Sequence, residues 1–269
     1  MKVQFYISEE VRTDAIGSKL VALLRRHVEP TDSHPDLVHI LGCGSPQAQR
    51  QAKNLSRRLI PYIISPLGAL QPWASRNVLH TVLPHSQAAA LQKAAALHLC
   101  SDIEEQNLNN QEWREKSVII KNPIVTTAID EATFTKRITD LYQHVITQHD
   151  LQVRKQIADR VAALGETDAT LSDLLQQLLY IRYQHHQGQI HTDTAMQLGA
   201  AMTAADYDED LMAQQLEQLH LYLFTARLEY AMQQQGFLTE GFMPIPAIAD
   251  KVSFRLLPLL PVCPQEPSN

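Results

Sequence analysis

The residues able to do chemistry in this sequence stand singly, and His39 is the first of them. A histidine takes up or releases a proton near neutral pH, which suits it to a ligand site. His39 lies in the apolar run Asp36-Leu37-Val38-His39-Ile40-Leu41, just before Gly42-Cys43-Gly44-Ser45. It reads either as a ligand contact or as a satisfied, partly buried histidine. Gly42 and Gly44 fit a tight turn, and Ser45 before Pro46 fits a helix N-cap with proline at the first helical position. Ser45 and Ser65 also offer hydroxyl and N–H donors for a sugar or phosphate. Gly68 and Trp73 follow Ser65 in a second loop, where Trp73 is either an apolar plate for a sugar face or plain packing. Ser101 and Glu104 form an S-x-x-E capping arrangement. No P-loop lysine motif or Gly-x-Ser-x-Gly elbow is present, and Gly42-Cys43-Gly44-Ser45 lacks the third glycine of a dinucleotide fingerprint.

Other clusters have plain explanations. Asp206, Asp208, Asp210 and Glu217 fall at positions 1, 3, 5 and 12 of a calcium loop, but Leu211 occupies the position that must be glycine. Acidic residues at a helix start, with Asp208 as the cap, account for them better. Glu209 and Glu217 share one helical run, "EDLMAQQLE". His185, His186 and His191 lack a carboxylate four residues on, so no metal is expected, and the first two fit a last helical turn before Gly188. Cys43, Cys100 and Cys263 are odd in number and far apart, which fits reduced thiols of a cytoplasmic protein.

The elements that must position these residues alternate in type. Val3–Ile7, Asp36–Leu41, Ile60–Pro66, Leu97–Cys100 and Ser117–Ile120 read as short strands, with helices over Gly17–Arg26, Pro46–Leu59, Ser86–Leu99 and from Ser101. Such alternation predicts an α/β fold, a doubly wound parallel sheet with flanking helices. Ligands of such sheets collect at the carboxyl ends of the strands, here the loops Ser8–Gly17, Gly42–Ser45 and Ser65–Gln71.

Composition divides the chain. Residues 1–135 carry 14 Lys+Arg against 13 Asp+Glu, net +1, whereas residues 136–269 carry 9 against 16, net −7, so the acidic excess belongs to the second half alone. Eight prolines lie from Pro30 to Pro123, none between Pro123 and Pro244, and six from Pro244 onward. A long proline-free stretch suits consecutive helices, since interior proline costs about 3 kcal/mol. Helices are expected over Phe134–Val145, Leu151–Leu164, Thr170–Gln187, Thr194–Ala204 and, as one long element, Asp208–Gln235. The expected domains are an α/β domain over 1–128, an all-α helical bundle over 129–243, and a partly docked tail over 244–269. The glutamine-rich outer faces of the bundle fit either a protein partner or plain solvation. No basic stripe is available for nucleic acid, and no apolar run approaches the roughly 20 residues that span a bilayer.

Three segments in order carry a family resemblance. "LVHILGCGSPQAQRQAKNLSRRLIPYIISPLGALQPWA" is similar to a strand ending H-x-H-G, a helix, then I-P-Y-V-x-S-P-x-G-x-L-x-P-W. "AAALHLCSDIEEQNL" is similar to A-x-x-I-x-x-x-S-x-x-E, and "SVIIKNPI" stands in the place of V-x-V-I-P-N-G-V. Residues 1–125 thereby resemble the N-terminal, acceptor-side Rossmann-like domain of family 4 glycosyltransferases of the GT-B type. The resemblance implies sugar transfer from a nucleotide-sugar donor to a sugar or glycan acceptor, in bacterial polysaccharide synthesis and without a separate cofactor. Two departures accompany it. Leu67 stands where many relatives carry an acceptor-site histidine, and nothing after Pro123 resembles the family's donor-binding domain. An active enzyme would need donor groups from the bundle or a partner chain; a non-catalytic binding or scaffold subunit would not.

Overall fold

A computed structural model describes residues 1–26, 28–31, 33–70, 85–108, 111–165, 168–239, 244–260 and 262. The chain divides into two compact units, Met1–Asp150 and Leu151–Asn269.

The first unit is a six-stranded parallel sheet in the order β2-β1-β3-β4-β5-β6. Its strands are β1 (Lys2–Ile7), β2 (Glu29–Pro30), β3 (Leu37–Leu41), β4 (Tyr62–Ser65), β5 (Ala96–Leu99) and β6 (Ser117–Ile119). β3, β4 and β5 are buried along their whole length, which is why they read as unbroken apolar runs rather than alternating ones. The helices around them are α1 (Glu9–Thr13), α2 (Ala15–Arg25), α3 (Pro46–Arg57), α4 (His85–Lys93), α5 (Asp102–Gln106) and α6 (Gln111–Glu115). One sheet face packs Leu37, Leu41, Ile63 and Ala96 against Leu20 and Leu24 of α2. The other packs Val38, Ile40, Tyr62 and Leu97 against Ala48, Ala52 and Leu55 of α3 and Leu91 of α4.

Two short elements escape the sequence pattern. β2 has only two residues, paired as Lys2 with Glu29 and Val3 with Pro30 at the sheet edge, where proline is tolerated. α1 forms inside the stretch expected to be a polar loop, and Asp14 then caps α2 by accepting from the Gly17 N–H at 2.6 Å.

Helix α7 (Glu131–Ala162) is one continuous element of 32 residues, not two. No proline or glycine interrupts it, and only the phase of its apolar stripe changes. Its Phe134, Ile138, Leu141, Tyr142 and Val145 are buried with the α2 face of the sheet, and the first compact unit accordingly extends to Asp150 rather than ending at 128.

The second unit is helical: the end of α7, then α8 (Ala169–Gln187), α9 (Thr192–Ala204), α10 (Glu209–Gln218), α11 (Tyr222–Gln234) and the one-turn α12 (Ser253–Leu256) running into a 3₁₀ turn at Leu257–Leu259. Asp168 caps α8 by accepting from the Leu171 N–H at 2.7 Å, and Gly188 ends it in the left-handed region at φ 96°. The expected long helix over Asp208–Gln235 is two helices. His220 adopts φ 56°, and the Leu221 N–H donates back to the Leu216 carbonyl at 2.7 Å, the six-to-one closure of a Schellman turn. Arg160 Nη2 donates to the Leu219 carbonyl at 2.7 Å and satisfies another group of that helix end. Sequence gave no warning, because the left-handed residue is a histidine rather than glycine.

Gly199 of α9 marks a close backbone approach, since a Cβ there would lie 2.2 Å from the Phe237 carbonyl oxygen. A backbone atom cannot swing aside as a side chain would. Gly199→Ala is expected to destabilise the protein by about 2 kcal/mol, read as a lower urea midpoint with unchanged slope; an unchanged midpoint would contradict the packing described.

Candidate functional site

Parallel strands deliver all their carboxyl ends to one edge, and the residues singled out from sequence collect there or just inside it. Gly42 turns the chain after β3 at φ 84°, its N–H donating to the Ser65 carbonyl at 2.9 Å. A Cβ at Gly42 would lie 2.2 Å from Ser8 Oγ, so the Ser8 side chain fills the space between the ends of β1 and β3. That space is the topological switch point, where the strand order reverses and open sheets of this kind commonly bind ligands. Gly44 faces the Glu10 carboxylate, whose oxygens stand 3.5 and 3.7 Å from where a Cβ would be. Ser45 caps α3, accepting from the Ala48 N–H at 3.2 Å.

After β4, Leu67 and Gly68 take consecutive left-handed conformations, φ 50° and 84°. The Gly68 N–H donates to Glu104 Oε1 at 2.6 Å, and the Cys100 N–H donates to Glu104 Oε2 at 2.7 Å. Ser101 completes the α5 cap by accepting from the Glu104 N–H at 3.3 Å. Glu104 is buried, and its two oxygens tie the β4 loop to the β5 loop. Trp73 lies outside the described residues.

Beneath this edge His39, Ser65, His98 and Tyr142 form one buried chain of hydrogen bonds. His39 Nδ1 lies 2.6 Å from Tyr142 Oη and Nε2 lies 2.7 Å from Ser65 Oγ; Ser65 Oγ lies 2.7 Å from His98 Nδ1, and His98 Nε2 lies 3.0 Å from the Ile120 carbonyl. All four side chains are fully buried, each 0% exposed. Burial holds His39 well below its ordinary range, helped by the neighbouring His98, and brings His98 down to about 4. Both imidazoles are therefore neutral at neutral pH.

Every proton in the chain is then determined. The carbonyl only accepts, so His98 Nε2 carries the hydrogen and Nδ1 accepts from the Ser65 O–H. Ser65 has one hydrogen, so its oxygen accepts from His39 Nε2–H, and His39 Nδ1 accepts from the Tyr142 O–H. The line crosses β3, β4 and β5 and ends beyond β6. Each group has a partner and its side chain is buried. A serine aligned with two histidines suits nucleophilic chemistry only where it is accessible; here it joins His39 of β3 to His98 of β5, and His39 in turn holds Tyr142 of α7.

Sequence reasoning found His39 and Ser65 but not their partners. The available signal was a histidine in the middle of two wholly apolar strands, since a polar group buried on both faces needs a partner. Tyr142 could be placed only once α7 was docked.

The second unit buries one ionisable group of the opposite character. Glu229 of α11 is 0% exposed and, among the described residues, neither carboxyl oxygen has a hydrogen-bond partner, nor does the buried Thr225 hydroxyl one turn earlier. Burial pushes Glu229 up to about 9. Elsewhere Cys43, donated to by Gln87 at 3.5 Å, is pushed up to about 11 by burial, with Glu104 and Glu10 adding to the rise. Burial also raises the Cys100 thiol far above its usual range. Asp208 caps α10 by accepting from the Leu211 N–H at 3.0 Å. Among the described residues no three His, Cys, Asp or Glu side chains gather as a metal site would require, and no helix is long and apolar enough to cross a membrane.

Against known proteins, no family model, curated protein or solved structure matches this chain.

Two sets of outcomes follow from the buried groups. Tyr142→Phe leaves one acceptor unpaired and is expected to cost about 1–3 kcal/mol; Ser65→Ala leaves both His39 Nε2–H and His98 Nδ1 unpaired and is expected to cost more. Denaturant midpoints that ranked them the other way would contradict the chain. The pH windows of the two units oppose each other. His98 falls from 6.5 in the unfolded chain to about 4, so its contribution is present above 6.5 and is lost as pH drops from 6.5 to 4. Glu229 rises from 4.5 to about 9, so its contribution is complete below 4.5 and is lost as pH climbs toward 9, by about 1.4 kcal/mol per unit at most. Glu229→Gln is therefore expected to stabilise the protein at pH 8 relative to pH 5 when each is compared with the natural chain. Equal gains at both values would show that Glu229 is not buried as an acid.

Proposed function

We propose that the chain is a glycosyltransferase-derived binding module of cytoplasmic polysaccharide biosynthesis, which holds a neutral, hydroxyl-rich acceptor such as a glycan at the carboxyl edge of the sheet without transferring sugar. The observation that carries this reading is the Glu10 carboxylate over Gly44. In a phosphate-binding edge, a glycine turn leading into a helix start is left open to an anion. Here a carboxylate faces the glycine, and a diphosphate brought there meets like charge at short range. A sugar hydroxyl instead donates to that carboxylate, and the half-buried turn supplies acceptors and donors for its neighbours.

Other features agree with binding over turnover. Leu67, in place of the acceptor-site histidine that the resemblance implies, has no proton to take or give, and Ser65, His39 and His98 lie below the edge with every polar atom engaged. Among the described residues the chain has one sheet, and the region where a donor-binding domain would stand is helical. In this reading the helical unit serves as the scaffold that meets a protein partner.

Calorimetric titration with neutral oligosaccharides and with UDP-, GDP- and ADP-sugars tests the reading, alongside a coupled assay for released nucleotide. Binding is expected for neutral saccharide only, with no nucleotide released, and Glu10→Lys is expected to weaken saccharide binding and admit nucleotide diphosphates. Turnover of any nucleotide sugar by the natural chain would overturn it in favour of an active transferase.

A further inference from the structure

The helical unit holds a cluster of bases without acids. Arg182, His185 and His186 stand on the last two turns of α8, His185 and His186 three and four residues beyond Arg182, the spacing that makes side chains neighbours on one helix face. The Arg182 guanidinium carbon lies 4.6 Å from the centre of the Phe224 ring, and the His185 ring lies 5.5 Å from that same ring. The His185 and His186 rings are 6.1 Å apart. We propose that these three side chains, together with the start of α11, bind a terminal phosphate group, either inorganic phosphate or a small phosphate monoester.

The needs of the helix do not account for the cluster. Like charges at this spacing destabilise a helix. Bases near a carboxyl end can serve free carbonyls, but here the Gln184 carbonyl already accepts from the Gly188 and Gln189 N–H groups at 3.1 and 3.2 Å, and the His185 carbonyl accepts from Gly188 at 3.0 Å. None of the three bases forms an ion pair with a carboxylate among the described residues. Burial lowers all three; Arg182 lowers both histidines further, His186 adds to the fall at His185, and no carboxylate raises any of them.

The bases converge on the first turn of α11. Phe224 is the third residue of that helix, and aromatic side chains of helices lean back over the preceding turn, so its ring carries Arg182 and His185 to the amino end. Asp168 and Asp208 cap α8 and α10, whereas α11 has Leu221 at its N-cap with no side-chain hydrogen bond and no acid in its first turn. Its leading N–H groups and its dipole add positive potential where the bases gather. His185 Nδ1 is enclosed with no hydrogen-bond partner among the described residues. A buried N–H without an acceptor is the rarer arrangement, which places the hydrogen of the neutral ring on Nε2, free to donate.

Charge selects the ligand. Such a site repels an ammonium group, and its guanidinium and N–H donors leave the hydrogen of a sugar hydroxyl without an acceptor. A dianion gains more from each base than a monoanion does, and the guanidinium fork matches two phosphate oxygens. The inner phosphates of a nucleotide sugar carry one charge each and are substituted on both sides, which makes them poorer ligands. No group of the sheet edge takes part.

Histidine ring-proton NMR of the full chain tests the site with inorganic phosphate, glycerol 3-phosphate and UDP-glucose, each compared with sodium chloride at matched ionic strength. Expected are saturating shifts of the His185 and His186 ring protons with the first two at millimolar concentration. With phosphate bound, the titration midpoints of both rings are expected to rise by about one pH unit, because a neighbouring anion favours the charged imidazole. Arg182→Gln is expected to weaken phosphate about tenfold. His186→Gln, at an exposed position, is expected to weaken it about threefold with an unchanged unfolding midpoint. Equal affinity for the two phosphates supports free phosphate as the ligand, and tighter binding of glycerol 3-phosphate supports a monoester. No shift beyond that of sodium chloride, a response to UDP-glucose as strong as to phosphate, or undiminished binding by both variants would overturn the proposal.

Discussion

The hydrogen-bonded line from Tyr142 through His39, Ser65 and His98 to the Ile120 carbonyl is the constraint on which the first unit depends. A parallel sheet buried on both faces leaves no water for a polar side chain, and each unpaired group there would cost free energy on the order of 1–3 kcal/mol. Four polar side chains in one such core are tolerated because each satisfies the next. The line also runs perpendicular to the strands and so relates β3, β4, β5 and the end of β6 to a helix whose sequence lies far away. Apolar packing between α7 and the sheet would permit sliding; a chain of directed donors permits one position.

Function at the edge above is shaped by the same arrangement. His39, Ser65 and His98 are drawn into the core, and among the described residues the edge presents backbone turns, caps and carboxylates. Glu104 binds the β4 and β5 loops together, Ser8 fills the switch point against Gly42, and Glu10 covers Gly44. In the reading we propose, the Glu10 carboxylate beside Gly44 disfavours phosphates at such an edge, and the role is binding rather than transfer. The helical unit contrasts with it. Its buried Glu229 has no hydrogen-bond partner among the described residues and burial pushes it up to about 9, whereas in the sheet unit burial lowers the two histidines and each of their ring nitrogens is paired.

Much of this fold was legible because its signals are local. Bounded apolar runs located β1, β3, β4, β5 and β6, Ser45 and Ser101 announced helix starts as caps, and Asp208 and Gly188 marked helix ends in the second half. What escaped depends on distance or on unusual backbone. β2 is too short to show a period, α1 is polar, and the break between α10 and α11 rests on a left-handed histidine. The candidate site was half legible for the same reason: Gly42, Ser45, Ser65, Gly68, Ser101 and Glu104 stand where strand ends place them while His39 lies mid-strand in β3, and the roles of His39, Ser65 and Glu104 follow from partners 26 to 103 residues away. Proline usage located the helical half without revealing that the first half of α7 packs on the sheet.

The central claim, that one directed line of neutral groups fixes α7 on the sheet, is tested most directly by long-range ¹H–¹⁵N correlation of the histidine rings. The account predicts that His39 and His98 both appear as neutral imidazoles with the hydrogen on Nε2, unchanged from pH 8 down to pH 6. A charged ring in that range, or a hydrogen on Nδ1 of either histidine, would contradict it.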